Sequence, residues 1–366
     1  MNDKVSRIQI GMFLSLICCS LFLGISDIII LRKSGNEVLI SMLLGVVLGL
    51  IPVLMYLKIN SSMPSLNIYE KNIKLFGKVL GNILNVLIIL IYMIMLTMAI
   101  RAIVIFVTSK YLRDTPFSLV GLLVITTCLI ICFKGLETLA RTAQIAFFSS
   151  IIFMAIIEVF LAKYIEIGNI LPIISNANFF SILDGALYFA ASCALLTMLL
   201  LTISKSKIKK PEKYNRTIIL FYLYTALSLT FVMFFIVSCF GYEMAALFRY
   251  PEYILLKKIG ISSSELHLEN LLAFRWVFYM IALANISTFG IIHGVKNFSQ
   301  KIKLNKVIVI IISIICIFAG KFLFGNIPHS IITVKNLYMP LIALPMFVIL
   351  LILFIRCLFL KKESVK

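Results

Sequence analysis

Apolar runs close to the length of a membrane crossing recur ten times along the chain. They cover 8–31, 37–58, 79–109, 117–133, 142–163, 178–203, 217–240, 270–293, 307–324 and 339–360. About 20 apolar residues suffice to cross roughly 30 Å of hydrocarbon as a helix. In lipid such a run satisfies its backbone hydrogen bonds only by coiling on itself, so the pattern predicts an all-α integral membrane protein with ten transmembrane helices. Composition agrees, because 62% of the 366 residues are hydrophobic, against roughly 45–50% in soluble domains. The third run is too long for one perpendicular crossing and is expected to tilt or to project from the bilayer. No soluble domain is expected; 1–366 reads as a single polytopic membrane domain.

Charge orients the spans. With both termini placed in the cytoplasm, 22 of the 34 Lys and Arg fall in cytoplasmic segments and nine outside, while Arg101, Arg275 and Lys321 lie within spans. Cytoplasmic enrichment of this kind is the positive-inside rule, so both ends are expected to face inward. The net charge of +19 has the same origin. The basic run "SKSKIKKPEKYNR" (204–216) lies between two spans; it reads as a topology determinant near anionic lipid, not as a nucleic-acid patch. The first run is too long for a signal-peptide core, and no small-residue cleavage site follows it.

Catalytic and metal chemistry find little support. Seven of eight cysteines (18, 19, 128, 132, 193, 316 and 357) lie inside spans and Cys239 at a span end, where they read as small packing residues. His267, His293 and His329 show no ligand spacing. No nucleophile elbow, zinc-protease or phosphate-loop motif occurs, so neither an enzyme, a metal nor a cofactor is expected.

Ten spans divide into five plus five, with halves at about 8–163 and 178–360. An odd number per half starts the second half on the opposite side, the arithmetic of an inverted-topology repeat. The first span of each half carries a carboxylate beside a glycine, "GISD" at 24–27 and "LDGA" at 183–186. An interruption there frees backbone amides and carbonyls to face a cavity, with glycine supplying the backbone freedom. Gly24, Ile25, Ser26, Asp27, Asp184 and Gly185 are therefore candidate ligand-binding residues. The alternative is that both aspartates are wetted helix ends, since Asp27 is the twentieth residue of its span and Asp184 the seventh.

Other polar groups within spans need partners. Glu158 is expected to pair with Arg101 or Arg275, either pinning helices or meeting a ligand. Tyr92, Tyr188 and Tyr279 lie nearer mid-membrane, where a hydroxyl lines a cavity or donates to a neighbouring helix carbonyl. The glycine pair of "GVVLG" (45–49) and Pro52 and Pro345 are assigned to packing and kinks. "YEMAALFRYPEYILLKKI" (242–259) is half apolar and is expected as a helix on the outer surface.

Four stretches, in order, resemble one known family. "SLNIYEKNIKLFGKVLGNIL" (65–84), "FKGLETLARTAQIAF" (133–147), "NILPII" (169–174) and "RYPEYILLKKIGIS" (249–262) are similar to segments of the spore germination permeases, the GerAB-type B subunits of germinant receptors. The chain departs from that pattern at Glu269-Asn270-Leu271-Leu272, and in carrying Asp27 after the first-span glycine. The resemblance implies the fold of the amino acid–polyamine–organocation transporter superfamily, a LeuT-like arrangement with helices 1 and 6 interrupted around a central site. It implies recognition of a small amino-acid-like germinant in the inner membrane of a spore-forming bacterium. A receptor A subunit and a lipoprotein C subunit are the implied partners. Ser287 and Thr288 resemble the hydroxyl pair that superfamily relatives use at a sodium site. The lysine that some relatives carry on helix 5 is missing, for no Lys lies between Arg141 and Lys163. The leading expectation is a germinant-receptor subunit; the alternative is a free-standing secondary transporter of amino acids or amines.

Overall fold

The computed structural model describes residues 4–172, 178–248, 250–262, 267–299, 301–322 and 338–359. His329, Arg249, residues 173 and 174, and the last residues of the spans expected at 307–324 and 339–360 lie outside them.

Ser6 begins the first helix, α1 (Arg7–Ser20), by a reciprocal cap. Its hydroxyl accepts from the Ile8 amide while the Gln9 side chain accepts from the Ser6 amide, which satisfies amides that a helix start otherwise leaves bare. Just before it, Val5–Ser6 (β1) pairs in parallel with Ile208–Lys209 (β2) and ties the N-terminal segment to the basic loop. Helical geometry then fails at Leu23 (φ −63°, ψ 121°) and Gly24 (φ 71°, ψ 7°). It resumes as α2 (Asp27–Ser34) and turns at Gly35 (φ 58°, ψ −131°) into α3 (Val38–Ser62).

α3 runs back to the face where α1 began, since Tyr56 Oη meets Tyr214 Oη at 2.5 Å, close in sequence to β2. The apolar stretch Arg7–Ser62, 56 residues long, is thus a hairpin. Counted as one, it leaves nine helices among the described residues long and apolar enough to cross a membrane. The sequence expects ten, and this join is the difference.

Next comes α4 (Ile68–Lys110), which contains a left-handed Gly77 (φ 76°, ψ 178°). The short helix before Gly77 folds against its own continuation: Asn72 Nδ2 donates to Asn85 Oδ1 (2.8 Å), and Asn85 Nδ2 to the Tyr69 carbonyl (3.1 Å). Beyond Gly77 the helix is about 50 Å long at 1.5 Å per residue, so it tilts or projects, as its length demands. The remaining helices are α5 (Phe117–Lys134), α6 (Leu136–Leu161), α7 (Phe179–Cys193), α8 (Tyr214–Ala245), α9 (Pro251–Ser262), α10 (Leu268–Phe298), α11 (Ile302–Phe322) and α12 (Leu344–Phe359).

α3 packs on α7 at Gly45, while Gly49 faces Tyr222 of α8 and Ala194. A β-carbon at Gly45 would sit 2.8 Å from the Ala186 carbonyl oxygen, so only hydrogen fits there. Small residues that let backbones approach are the usual adhesive between helices in lipid, where no hydrophobic force drives them together. The opposite side of α3 exposes Val47, Ile51 and Leu54, and other helices expose Leu123, Ile152 and Phe318. An apolar exterior of this kind suits hydrocarbon and makes the chain a multi-pass membrane protein.

Candidate ligand site at the break in helix 1

The break between α1 and α2 releases peptide groups from the regular ladder, and side chains take them up. Gly24 N–H donates to Asp27 Oδ2 at 3.0 Å. Ser26 Oγ donates to the Leu21 carbonyl at 2.7 Å. The indole Nε1–H of Trp276, from α10, donates to the Leu23 carbonyl at 2.9 Å. Gly24 is required twice over: its positive φ disfavours any side chain, and a β-carbon would sit 2.2 Å from the Tyr250 ring. The chain opens here because sequence and surroundings both permit it.

Two acids meet beside the break. Asp27 is 1% exposed and Glu252, on α9, is 5% exposed. Asp27 Oδ1 and Glu252 Oε1 find no hydrogen-bond partner among conventional donors of the described residues. The two carboxyls lie close enough for the charge of Asp27 to act on Glu252. Burial, and then the charge of Asp27, push the Glu252 carboxyl well above the usual carboxylate range, against a smaller opposing pull from Arg275. When protonated, Glu252 becomes a donor, and a proton held between the two acids would leave one negative charge on the pair.

Aromatic rings close the space above. Phe106 is the hub, with ring centroids 4.9 Å from Trp276, 5.6 Å from Tyr250 and 5.9 Å from Tyr253. Tyr250 and Trp276 lie 6.2 Å apart, nearly perpendicular. Leu23, Phe106, Tyr250, Glu252, Tyr253 and Trp276 help to bound a cavity of about 10 Å³, room for about one water. Of the half-apolar outer stretch, the first residues end α8 and only the part from Pro251 onward forms a separate helix, α9, whose buried Tyr253, Leu255 and Leu256 pack onto the molecule.

The expected site residues separate into levels. Gly24, Ile25, Ser26 and Asp27 are contiguous at the break. Tyr279 lies about one turn from Trp276; its hydroxyl accepts from Arg275 Nε (2.6 Å) and lies 2.5 Å from Ser150 Oγ. Arg275 is thereby bonded to Tyr279 and not to Glu158, whose Oε1 has no hydrogen-bond partner among the described residues. Arg101 donates to the Gly320 carbonyl at 2.6 Å. The expected pairing of Glu158 with an arginine is therefore not what the described contacts show.

Asp184, Gly185 and Tyr188 stand on α7, a second wall. α7 reaches the break through Phe189, whose ring lies edge-on to Phe22 at 6.1 Å. The interruption of helix 6 is not at Asp184–Gly185, which sit inside regular α7. Helix 6 instead changes ten residues later, tightening to a 3₁₀ helix over Ala194–Thr202. Asp184 is exposed and pairs with Lys33, the wetted helix end that was the alternative reading. Gly185 lets α7 approach Ser34, whose Oγ would lie 2.0 Å from a β-carbon there.

Tyr92, Ser287 and Thr288 lie at another level. Tyr92 donates to the Leu199 carbonyl of the 3₁₀ segment at 2.8 Å and packs on Gly290. Gly290 is about 21 Å along α10 from Trp276, and Thr288 about 18 Å, at 1.5 Å per residue. Among the described residues no group of three or more His, Cys, Asp or Glu is placed to hold a metal ion. The sequence reading missed Trp276, Glu252 and the ring cluster. The chain's single tryptophan and the aromatic "RYPEY" segment were the available signals.

Comparison with known proteins agrees with this architecture. One solved structure, the substrate-bound outward-open state of a Na+-coupled sialic acid symporter, superposes with a TM-score of 0.62 at 13% identity, covering 96% of this chain and 79% of that one. The likeness fixes the fold as LeuT-like. The chain is 25% identical over 300 residues, 82% of each protein, to YfkT of Bacillus subtilis (strain 168), whose name refers it to spore germination. The sequence pattern of the family described as "Spore germination protein" matches residues 5–322. With that span matched, this ten-run, LeuT-like chain belongs to the spore germination permease family.

Proposed function

We propose that the chain is the membrane subunit of a spore germinant receptor, binding a small amino-acid-like germinant at the break in helix 1. The observation that carries this reading is the open turn at Leu23–Gly24, whose peptide groups are held by Asp27 and Trp276 from two separate helices. A ligand that competes for those groups changes how α1, α2 and α10 are joined. Binding then shifts a conformational equilibrium, provided one state binds more tightly than the other. The partners on this reading are a receptor A subunit and a lipoprotein C subunit in the inner membrane, with both termini of this chain cytoplasmic. No chemistry is performed on the ligand, and Gly185, Tyr188 and Tyr279 act as the surrounding walls, while Asp184 is turned outward to Lys33.

Gly24→Leu tests it. Spores carrying that variant at normal protein level are expected to lose the response to germinant. A normal response removes the break from the reading. A second reading, translocation by the chain alone, draws on the symporter fold. Gradient-driven uptake by liposomes containing only this protein favours it, whereas co-purification with an A subunit favours the receptor.

A further inference from the structure

The acid pair and the ring cluster beside the break have a chemistry of their own. Two carboxyls, each more than nine-tenths buried, leave one oxygen apiece without a conventional donor. Glu252 lines the small cavity together with Phe106, Tyr250 and Trp276. Aromatic faces attract cations through their quadrupole, most strongly when water is excluded. At the rim, Lys110 Nζ stands 5.2 Å from the Tyr253 ring centroid, within the range of a cation–π contact.

We infer that Asp27 and Glu252, roofed by Phe106, Tyr250 and Trp276, receive the ammonium group of a small organic amine. This rests on the reading that the break is the ligand site, and it names the ligand's class. The exchange balances: the ammonium ion enters, the proton shared by the two acids leaves to water, and the charge of the site is unchanged. Arg275 on α10 is the cation whose field reaches Glu252, and its Nε is already committed to Tyr279. At the rim stand Lys110, and the pair of His267 with Glu269 (3.0 Å). An anion meets two carboxyls here, and a neutral ligand lacks the charge that the acids and the ring faces attract. Tyr250, resting on Gly24, must swing aside for entry, because the closed cavity holds about one water.

Trp276 is the only tryptophan in the chain, so intrinsic fluorescence reports this site alone. The experiment titrates the full chain reconstituted in phospholipid vesicles, which add no tryptophan, with tetramethylammonium chloride and with ethylammonium chloride. Neopentyl alcohol and sodium acetate serve as neutral and anionic controls. The expected result is a saturable change with the ammonium probes only, weakened about tenfold or more in Asp27→Asn. Asp27→Asn keeps an acceptor for the Gly24 amide and offers Glu252 a donor, so its thermal midpoint is expected to hold. Glu252→Gln is the second variant and should weaken binding alike. An equal response to neopentyl alcohol, no response to either ammonium ion, or undiminished binding in both variants overturns the inference. If Gly24→Leu silences spores while ammonium leaves Trp276 unmoved, the amine falls and the break stands. If Gly24→Leu spores respond normally while ammonium still binds, the receptor reading falls and the cation site stands.

Discussion

The Trp276 indole, on α10, donates to the Leu23 carbonyl across the break in helix 1, at 2.9 Å. That one bond joins the two helices where the backbone of the first is least supported. A carbonyl left without it would be a buried acceptor with no donor, at a cost of about 1–3 kcal/mol. Trp276→Phe is accordingly expected to lower stability by roughly that amount. A thermal unfolding assay on the detergent-solubilised protein, read by cysteine-reactive dye, checks this; an unchanged midpoint contradicts it.

Asp27 has a structural duty separable from its charge. Its Oδ2 accepts from the Gly24 amide at 3.0 Å. Asp27→Ala orphans that amide and is expected to destabilise by about 1–3 kcal/mol, whereas Asp27→Asn is expected to stay close to the parent. The two variants compared in one unfolding series decide it. Equal losses would show that the charge, not the hydrogen bond, holds the break.

Glu252 gives stability a pH slope. Its folded carboxyl titrates well above the usual range because it is buried beside Asp27. At acid pH the group is neutral in both states and costs nothing. Above about 4.3, where an unfolded Glu ionises, the unfolded chain gains and the fold loses stability, until the pH passes the folded value. Stability is therefore expected to decline as the pH rises above about 4.3, and Glu252→Gln to flatten the decline. Thermal midpoints across that rise test it, and an identical slope in both proteins counts against the assignment.

Much of the architecture was legible in the sequence, because length and hydropathy act locally. Ten apolar runs, the charge asymmetry and the glycine in "GISD" each leave a mark within one segment. What escaped was set by long-range contact. Glu252 reads as an acid on an outer-surface helix until α9 brings it beside Asp27, 225 positions away in the chain. "LDGA" looks like "GISD", yet Asp184 reaches outward to Lys33 and its helix stays regular. The difference lies in the neighbours: among the described residues no indole or buried acid bonds to the peptide groups at Asp184–Gly185. Of the two readings open for Tyr92, a cavity wall or a donor to a neighbouring helix, the hydroxyl takes the second by donating to the Leu199 carbonyl, the commoner fate of a hydroxyl in lipid.

Gly45 offers a test of the packing between α3 and α7. A β-carbon there would fall 2.8 Å from a backbone oxygen that cannot move aside. Gly45→Val is expected to force the helices apart and to lower the yield of folded protein, while Val47→Ala, at an exposed position on the same helix, is expected to be neutral. Size-exclusion profiles of the two variants separate these outcomes, and a normal profile for Gly45→Val contradicts the close approach.

The central claim is that bound germinant engages the open turn of helix 1. Amide hydrogen exchange across residues 21–27, in nanodiscs with and without a germinant to which the spores respond, measures it most directly. The account predicts slower exchange at Gly24 and its neighbours when germinant is present. Unchanged exchange there, with protection arising in some other segment, would contradict it.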